Sequence, residues 1–425
     1  MQVFKFGGAS VKNATGVKNL VSVLQKVEHK NTLIVVSAMG KTTNLMEELV
    51  ESCLEGRKDD LEQIYQNLYN LHYEIVADLG LTDDEDFITL FEYKFDELEQ
   101  KINQDFSENY AFEYDQIVSF GEIISTTIIS GFLNFISIEN CWFDARKLIR
   151  TDTCFRQAKI NWSKTEDLVK SKIESYLKSE SSRKIAITQG FLGHTETYQT
   201  TTLGREGSDF TAGILAWCLN AENVTIWKDV PGMLNADPKF FNNCIKLNQI
   251  SFKEAIELSY YGASVIHPKT IKPLQNKNIE LHVKSFLNPK ESGTVIHESN
   301  KSDSKVPSYI FKDKQTLISF IPRDFSFVDE AGLTELFSFF SQKGIKINLM
   351  QNSAISFSVC IDQNKQDKDL IFLQFKTQFK IKYNDELELL TIRHYTDSVV
   401  NSLTESKAIL AEQKSRQTAR FVMKK

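Results

Sequence analysis

Residues 3–10 read VFKFGGAS. Val3 to Phe6 form a short strand pattern that ends on Gly7-Gly8. Helical spacing follows, with Val17, Leu20, Val21 and Leu24 on one face. Thr32 to Ser37 is then an apolar run, as a strand buried inside a parallel sheet requires. The order strand, loop, helix, strand signals an α/β layered domain. Two glycines between a strand and a helix let backbone N–H groups approach a phosphate closely. Lys5 on the strand can reach the charge that develops on a transferred phosphoryl group. The loop is not a Walker A sequence. On these residues alone, a phosphate cradle and a plain strand-turn both stand.

The chain has 425 residues, 41% of them hydrophobic and 25% charged, which is the composition of a globular protein with two or three domains. A net charge of −6 argues against a large nucleic-acid footprint. The six cysteines are scattered without a C-x-x-C pair, so they read as reduced thiols of a cytosolic protein, with no metal site. No signal peptide is visible ahead of the first strand. Ile123 to Ile138 is apolar but short for a bilayer span, and it contains Ser125, Thr126, Thr127 and Asn134; a buried helix fits it better than a membrane segment.

Residues 47–113 read as a helical insertion, a solvated amphipathic helix pair. Strand patterns return at Lys184–Thr188, Val224–Trp227 and Ile279–Val283. The polar run 299–308, SNKSDSKVPS, reads as a linker. It divides a catalytic region, 1–298, from a smaller α+β region, 309–425. In the latter, Thr316–Ile321, Ile345–Met350, Ala354–Ile361, Leu387–Arg393 and Ala419–Met423 read as strands. Leu333, Leu336, Phe337 and Phe340 mark one helix, and a second spans about Val399–Gln413.

Three further stretches carry chemistry. Thr202 to Asp209, TLGREGSD, precedes an apolar helix. Its glycines with Ser208 and Asp209 suit an anion at a helix N-terminus, and Arg205 offers a planar fork for a carboxylate. Asp209 is equally readable as a helix N-cap. Trp227 to Gly232, followed by Asn235, Asp237 and Pro238, ends a strand where open α/β sheets bind ligands, or is an ordinary turn. Ser37 to Asn44 is a hydroxyl-rich strand-to-helix loop. Glu122, at the start of an apolar helix, either caps the helix dipole or holds an ammonium group.

Taken in order, KFGGAS, VVSAMGKTTN, SFGE, TTLGREGSDFTA, WKDVPGMLNADP and YGASVIHP resemble the aspartate kinases of the amino-acid kinase superfamily, over roughly residues 1–297. The tail resembles the ACT regulatory region of those enzymes, with its second unit shortened. The resemblance implies a three-layer αβα kinase domain and ATP-dependent phosphorylation of the L-aspartate side chain, the first step toward lysine, threonine and methionine. It implies that Lys5 stabilises the phosphoryl group with the amides of Gly7, Gly8 and Ser10. Lys228, Asp229, Leu234, Lys239 and Ser264 fall at ATP-contacting positions, Leu234 replacing a common Tyr and Ser264 a common Lys. Arg205 would hold the α-carboxylate, Glu122 and Asp209 the ammonium group, with Ser37, Thr43 and Ser208 bordering the substrate. Magnesium would ride on the ATP phosphates. Asn348, Leu349, Gln351, Asn352 and Ser353 would bind an effector, lysine or threonine, in a homodimer or larger assembly paired through ACT units. His267 reads as a packed turn residue rather than a base. The alternatives are a glutamate-type amino-acid kinase and a non-catalytic amino-acid sensor.

Overall fold

The computed structural model describes residues 1–28, 31–179, 184–263, 266–324 and 326–425, and Ser264 therefore lies outside the described residues. The chain forms two compact units. The first is Met1–Met233, Lys246–Ile256 and Val265–Asn300; the second is Leu234–Ile245, Glu257–Ser264 and Lys301–Lys425. The division is not linear in sequence, as a single break at 299–308 would make it. Segments 234–245 and 257–263 belong with the second unit because side chains such as Phe240, Phe241 and Tyr261 pack there; the Arg420 guanidinium lies 4.8 Å from the Tyr261 ring centroid. Phe240 lies 4.6 Å from Phe311, and Phe241 stacks on Tyr309 at 5.4 Å.

The first unit is built on β1 (Gln2–Phe6), β2 (Thr32–Val36), β3 (Asn140–Phe143), β4 (Ile185–Gln189), β5 (Leu192–His194), β6 (Thr200–Thr202), β7 (Asn223–Lys228), β8 (Gln249–Ser251), β9 (Glu280–Ser285) and β10 (Thr294–His297). Eight of these form one sheet, in the order β3-β4-β2-β1-β7-β9-β10-β8; β5 and β6 pair apart as a hairpin. Every pair in the large sheet is parallel except β9–β10. All five residues of β2 are buried, as its apolar sequence demands. Phe6 sits opposite both Val36 and Trp227, and Val36 opposite Gln189, so four strands end at one level.

Helix Ala14–Lys26 buries Val17, Leu20, Val21 and Leu24 against this sheet, the face its spacing marks. Helix Phe120–Phe135 is buried almost all round. The helical run Tyr110–Phe135 is long and apolar enough to cross a membrane, but 89% of its 18-residue apolar window is buried inside the fold, as a core helix is. The insertion is four helices rather than a solvated pair: Thr42–Glu55, Lys58–Asp78, Glu85–Ile102 and Tyr110–Val118. Phe87, Phe91 and Phe95, spaced by four residues, stack on one another and join the main core with Tyr65 and Leu68.

The second unit carries β11 (Ser308–Pro322), β12 (Ile347–Ser353), β13 (Ser356–Asp362), β14 (Phe379–Arg393), β15 (Ile409–Lys414) and β16 (Thr418–Lys424) in the antiparallel order β12-β13-β11-β14-β16-β15. β11 and β14 each run 15 residues, and their pairing shifts register between Lys312 and Leu317. The first half of β11 lies against the end of β14, which pairs onward with β16; the second half pairs with β13. Helices Glu330–Gln342 and Lys365–Phe375 bury Leu336, Phe340, Ile371 and Phe375 in one cluster with Phe320 and Phe357. The expected helix over 399–413 is a helix only over Asp397–Thr404. Ser406 then takes φ 64°, the left-handed conformation that stops a helix, and Ile409–Lys414 pairs as β15.

Candidate active site

The ends of β1, β2 and β4 open on a cavity of about 790 Å³, at the carboxyl edge where doubly wound sheets hold ligands. Lys5, the penultimate residue of β1, is buried, and its ammonium stands 2.6 Å from Asp209 Oδ1. Asp209 lies in the first turn of helix Gly207–Leu219 and is 1% exposed. It is not the helix cap; that position is Glu206, at φ 56°. Lys228, at the end of β7, reaches within 3.9 Å of the other Asp209 oxygen. Two ammonium groups thus approach one buried carboxylate, one from each side.

Close approaches hold this arrangement. A Cβ on Gly8 would come 2.7 Å from the Ala38 carbonyl oxygen, and one on Gly7 would come 3.2 Å from the Lys5 nitrogen. At Gly8 the neighbour is fixed backbone, so only glycine lets the loop after β1 sit this close to the loop after β2.

Glu122 enters from helix Phe120–Phe135. One of its oxygens accepts from the Ala38 N–H at 3.2 Å, and the other has no hydrogen-bond partner among the described residues although the side chain is 3% exposed. Burial pushes its carboxyl up to about 8, against smaller lowering effects from Ala38 and Lys5. A buried acid with an unsatisfied oxygen, facing a cavity, is a seat for a cationic or hydrogen-bond-donating ligand.

Lys5, Gly8, Ser37, Thr43, Glu122, Arg205, Ser208 and Asp209, singled out in the sequence, all line the cavity. Gly7 and Ser10 do not. Ser10 is buried and spends its hydroxyl and its N–H on the Gly7 carbonyl, at 2.8 and 2.9 Å, so its amide is not available to a phosphate. Lys228, Asp229, Leu234 and Lys239 do not line it either; Leu234 and Lys239 fall in the second unit, where Lys239 is exposed. His267 accepts from the Lys269 N–H at 3.1 Å and caps helix Pro268–Lys277, a turn role.

In the second unit, Asn348 and Leu349 are not available as an effector surface. A register shift in the pairing of β12 turns both inward. Asn348 donates to Gln315 and Asp362 and accepts from Lys312, and Leu349 packs with Leu317, Leu387 and Val422. Gln351, Asn352 and Ser353 are exposed along the edge strand β12.

The sequence reading missed Tyr114, Cys154, Phe155, Arg156, Gln157 and Phe191, which also line the cavity wall. Arg156, Phe191 and Glu206 all have positive φ, at 66°, 71° and 56°, so three strained residues ring one cavity.

Residues 1–285 match the profile of the amino acid kinase family. Aspartokinase 1, chloroplastic, of Arabidopsis thaliana is 32% identical over 373 residues, 85% of this chain and 63% of that protein. Lysine-sensitive aspartokinase 3 of Escherichia coli is 29% identical over 367 residues, 85% of this chain and 78% of its own length. The chain thus spans less than two thirds of the length of the plant relative. The crystal structure of E. coli aspartokinase III with lysine and aspartate superposes with a TM-score of 0.84 at 24% identity, covering 99% of this chain and 95% of that one. The form with aspartate and ADP gives 0.80 at 24%, covering 100% and 96%. With a matching profile over two thirds of its length and the same architecture, the chain belongs to the amino acid kinase family.

Proposed function

We propose that this chain is an aspartate kinase, transferring the γ-phosphoryl group of ATP to the side-chain carboxylate of L-aspartate. One observation carries the reading: a single cavity presents the Lys5 ammonium, the unsatisfied buried oxygen of Glu122 and the guanidinium of Arg205 together. A phosphoryl group, an ammonium group and a carboxylate are what these three complement, and ATP with an α-amino acid brings all three. The relatives named aspartokinase, and the aspartate and ADP named with the E. coli structures, support the same assignment.

The acceptor carboxylate, with a reference pKa near 3.9, is ionised at neutral pH and needs no general base. An oxygen of that carboxylate attacks the γ-phosphorus, the bond to the β,γ-bridging oxygen breaks, and ADP leaves with that electron pair. Two anions must be brought together, so the protein's task is positioning and neutralisation. Lys5 supplies positive charge to the phosphoryl oxygens, and Asp209 fixes where that charge stands. Glu122 orients the amino group and Arg205 the α-carboxylate. The acids lining the cavity are Glu122, Glu206 and Asp209, with Asp209 already paired to Lys5. This donor set fits a magnesium ion carried on the nucleotide phosphates, which would supply further neutralisation there.

For regulation, we read the second unit as an amino-acid-responsive region and the exposed edge residues Gln351–Ser353 as its contact to an effector such as lysine, in a homodimer or larger assembly. The lysine named with the E. coli enzyme and structure supports this.

The test is hydroxamate formation. An acyl phosphate is trapped by hydroxylamine, so the chain with MgATP should give coloured hydroxamate from L-aspartate, far less from L-glutamate, and less still when lysine is added. Faster turnover of glutamate overturns the substrate assignment.

A further inference from the structure

Arg156 is the least expected residue on the cavity wall. It is an arginine in the left-handed region, at φ 66°, where glycine is the unstrained choice. Its exposed side chain lines the cavity. Its guanidinium lies over the faces of Tyr110 and Tyr114, at 5.3 and 4.3 Å from the ring centroids. The Tyr114 hydroxyl donates to Glu47 at 2.7 Å, which fixes the stacking surface. Among the described residues no carboxylate pairs with this guanidinium, and none of its N–H groups has a hydrogen-bond acceptor.

The backbone beneath it is held from two sides. Asp115, fully buried, accepts the Arg156 N–H at 2.9 Å. The same oxygen accepts the Thr202 N–H at 2.9 Å, and its other oxygen accepts the Thr202 hydroxyl at 2.7 Å. The Ala158 N–H donates to the Thr202 carbonyl at 3.0 Å. A Cβ on Gly204 would come 3.0 Å from the Arg156 carbonyl oxygen, so the two loops touch immediately before Arg205. One buried carboxylate therefore sets the loop of Arg156 against the loop of Arg205. Strain that persists because its surroundings enforce it, on a charged residue facing a cavity, points to a ligand.

We propose that Arg156 is a second carboxylate-binding guanidinium of the acceptor site, acting with Arg205 on the amino-acid substrate. The assignment rests on the aspartate kinase reading above. A dicarboxylic amino acid brings two anionic groups, and one fork cannot hold both. With its face covered by two tyrosines, Arg156 keeps its N–H edge for an oxygen ligand at little further ordering cost. Because it grips the substrate before and during transfer alike, it sets KM rather than kcat.

Arg156→Gly separates binding from folding, since glycine removes the side chain and accepts the positive φ. Its thermal midpoint should equal or exceed that of the parent chain. Its dissociation constant for L-aspartate, by titration calorimetry, should rise about 10- to 100-fold, the range of a lost charge-assisted hydrogen bond. KM for aspartate should rise in parallel, with KM for ATP within about twofold and kcat within about threefold of the parent. Arg156→Lys, which keeps the charge but loses the fork, should recover part of the affinity. Unchanged aspartate affinity in Arg156→Gly, in a parent that binds aspartate, overturns the role of Arg156 and leaves the kinase reading standing. A parent that binds aspartate without phosphorylating it overturns the kinase reading, and the calorimetric comparison still decides Arg156. A parent that does not bind aspartate overturns both.

Discussion

Replacing Glu122 by glutamine should make the protein more stable and its acceptor site weaker. The Glu122 carboxyl is raised by burial from 4.5 to about 8. Between those values the folded chain holds a proton that the unfolded chain has released. Stability from this group is therefore highest below pH 4.5, falls as pH rises toward 8 and is level above it. Each pH unit in that window costs about 1.4 kcal/mol, so at pH 7 the ionisable side chain costs about 3 kcal/mol relative to a group that cannot ionise. Glutamine removes this penalty. Its NH₂ has to be buried where a carboxyl oxygen had no partner, at a cost of about 1 kcal/mol. The net gain is about 2 kcal/mol at pH 7, a rise of roughly 4 °C in the transition that melts the first unit. Scanning calorimetry at pH 5, 6, 7 and 8 should show the two proteins converging at the acid end and diverging toward pH 8. Aspartate binding should behave oppositely. Its ammonium group requires ionised Glu122, so binding at pH 7 should release close to one proton from the parent chain and none from Glu122→Gln. Titration in buffers of different ionisation enthalpy reads this directly. A variant with the parent's pH slope, or binding with no buffer dependence, refutes the argument.

Three further outcomes are expected. Lys5→Ala should lower turnover by about 10³-fold or more with ATP binding changed far less, the size of lost phosphoryl-group stabilisation; because it also removes the nearer of the two cations beside buried Asp209, leaving Lys228 at 3.9 Å, adding Asp209→Ala should recover melting temperature but not hydroxamate formation. Glu206→Gly, at φ 56°, should stabilise by about 1 kcal/mol in urea melts through relief of left-handed strain; a loss of stability would show that the loop is held by the Glu206 side chain instead. Gly190→Ala should destabilise by about 2 kcal/mol or more and depress turnover, because the new methyl would overlap the Ser208 side chain and displace the helix start that carries Asp209; a variant with parental melting and kinetics would exclude that coupling.

What the sequence made legible was local. A strand ending on glycines, an apolar β2 and a Gly-Ser-Asp entry to a helix are each written in adjacent residues, and these positioned Lys5, Glu122, Arg205 and Asp209. Asp115 was invisible for the opposite reason. It is one acid in an acidic helical segment, and its meaning comes from partners 41 and 87 residues away. Arg156 and Phe191 carry no pattern at all, since only tertiary packing turns them toward the cavity. Ser10 and Asn348 looked like ligands by position, but local hydrogen bonds and a register shift spend them inside the fold. In the second unit, β11 and β14 were legible only in part, because their pairing changes phase midway and period-2 alternation breaks there. The last helix was read too long because the residues around Ser406 carry no glycine or proline to mark the stop.

The continuity of β11 and β14 has a genetic consequence. The six-stranded sheet comprises two halves, yet the two longest strands run through both. Neither half is a cassette that could be deleted, duplicated or exchanged by recombination without cutting those strands. A chain ending after Arg393 would lose β15 and β16 and leave β14 as a raw 15-residue edge, open to pairing with other chains. Changes in this region should therefore accumulate as point substitutions and loop-length variation, and truncations within it should yield aggregates rather than an unregulated enzyme.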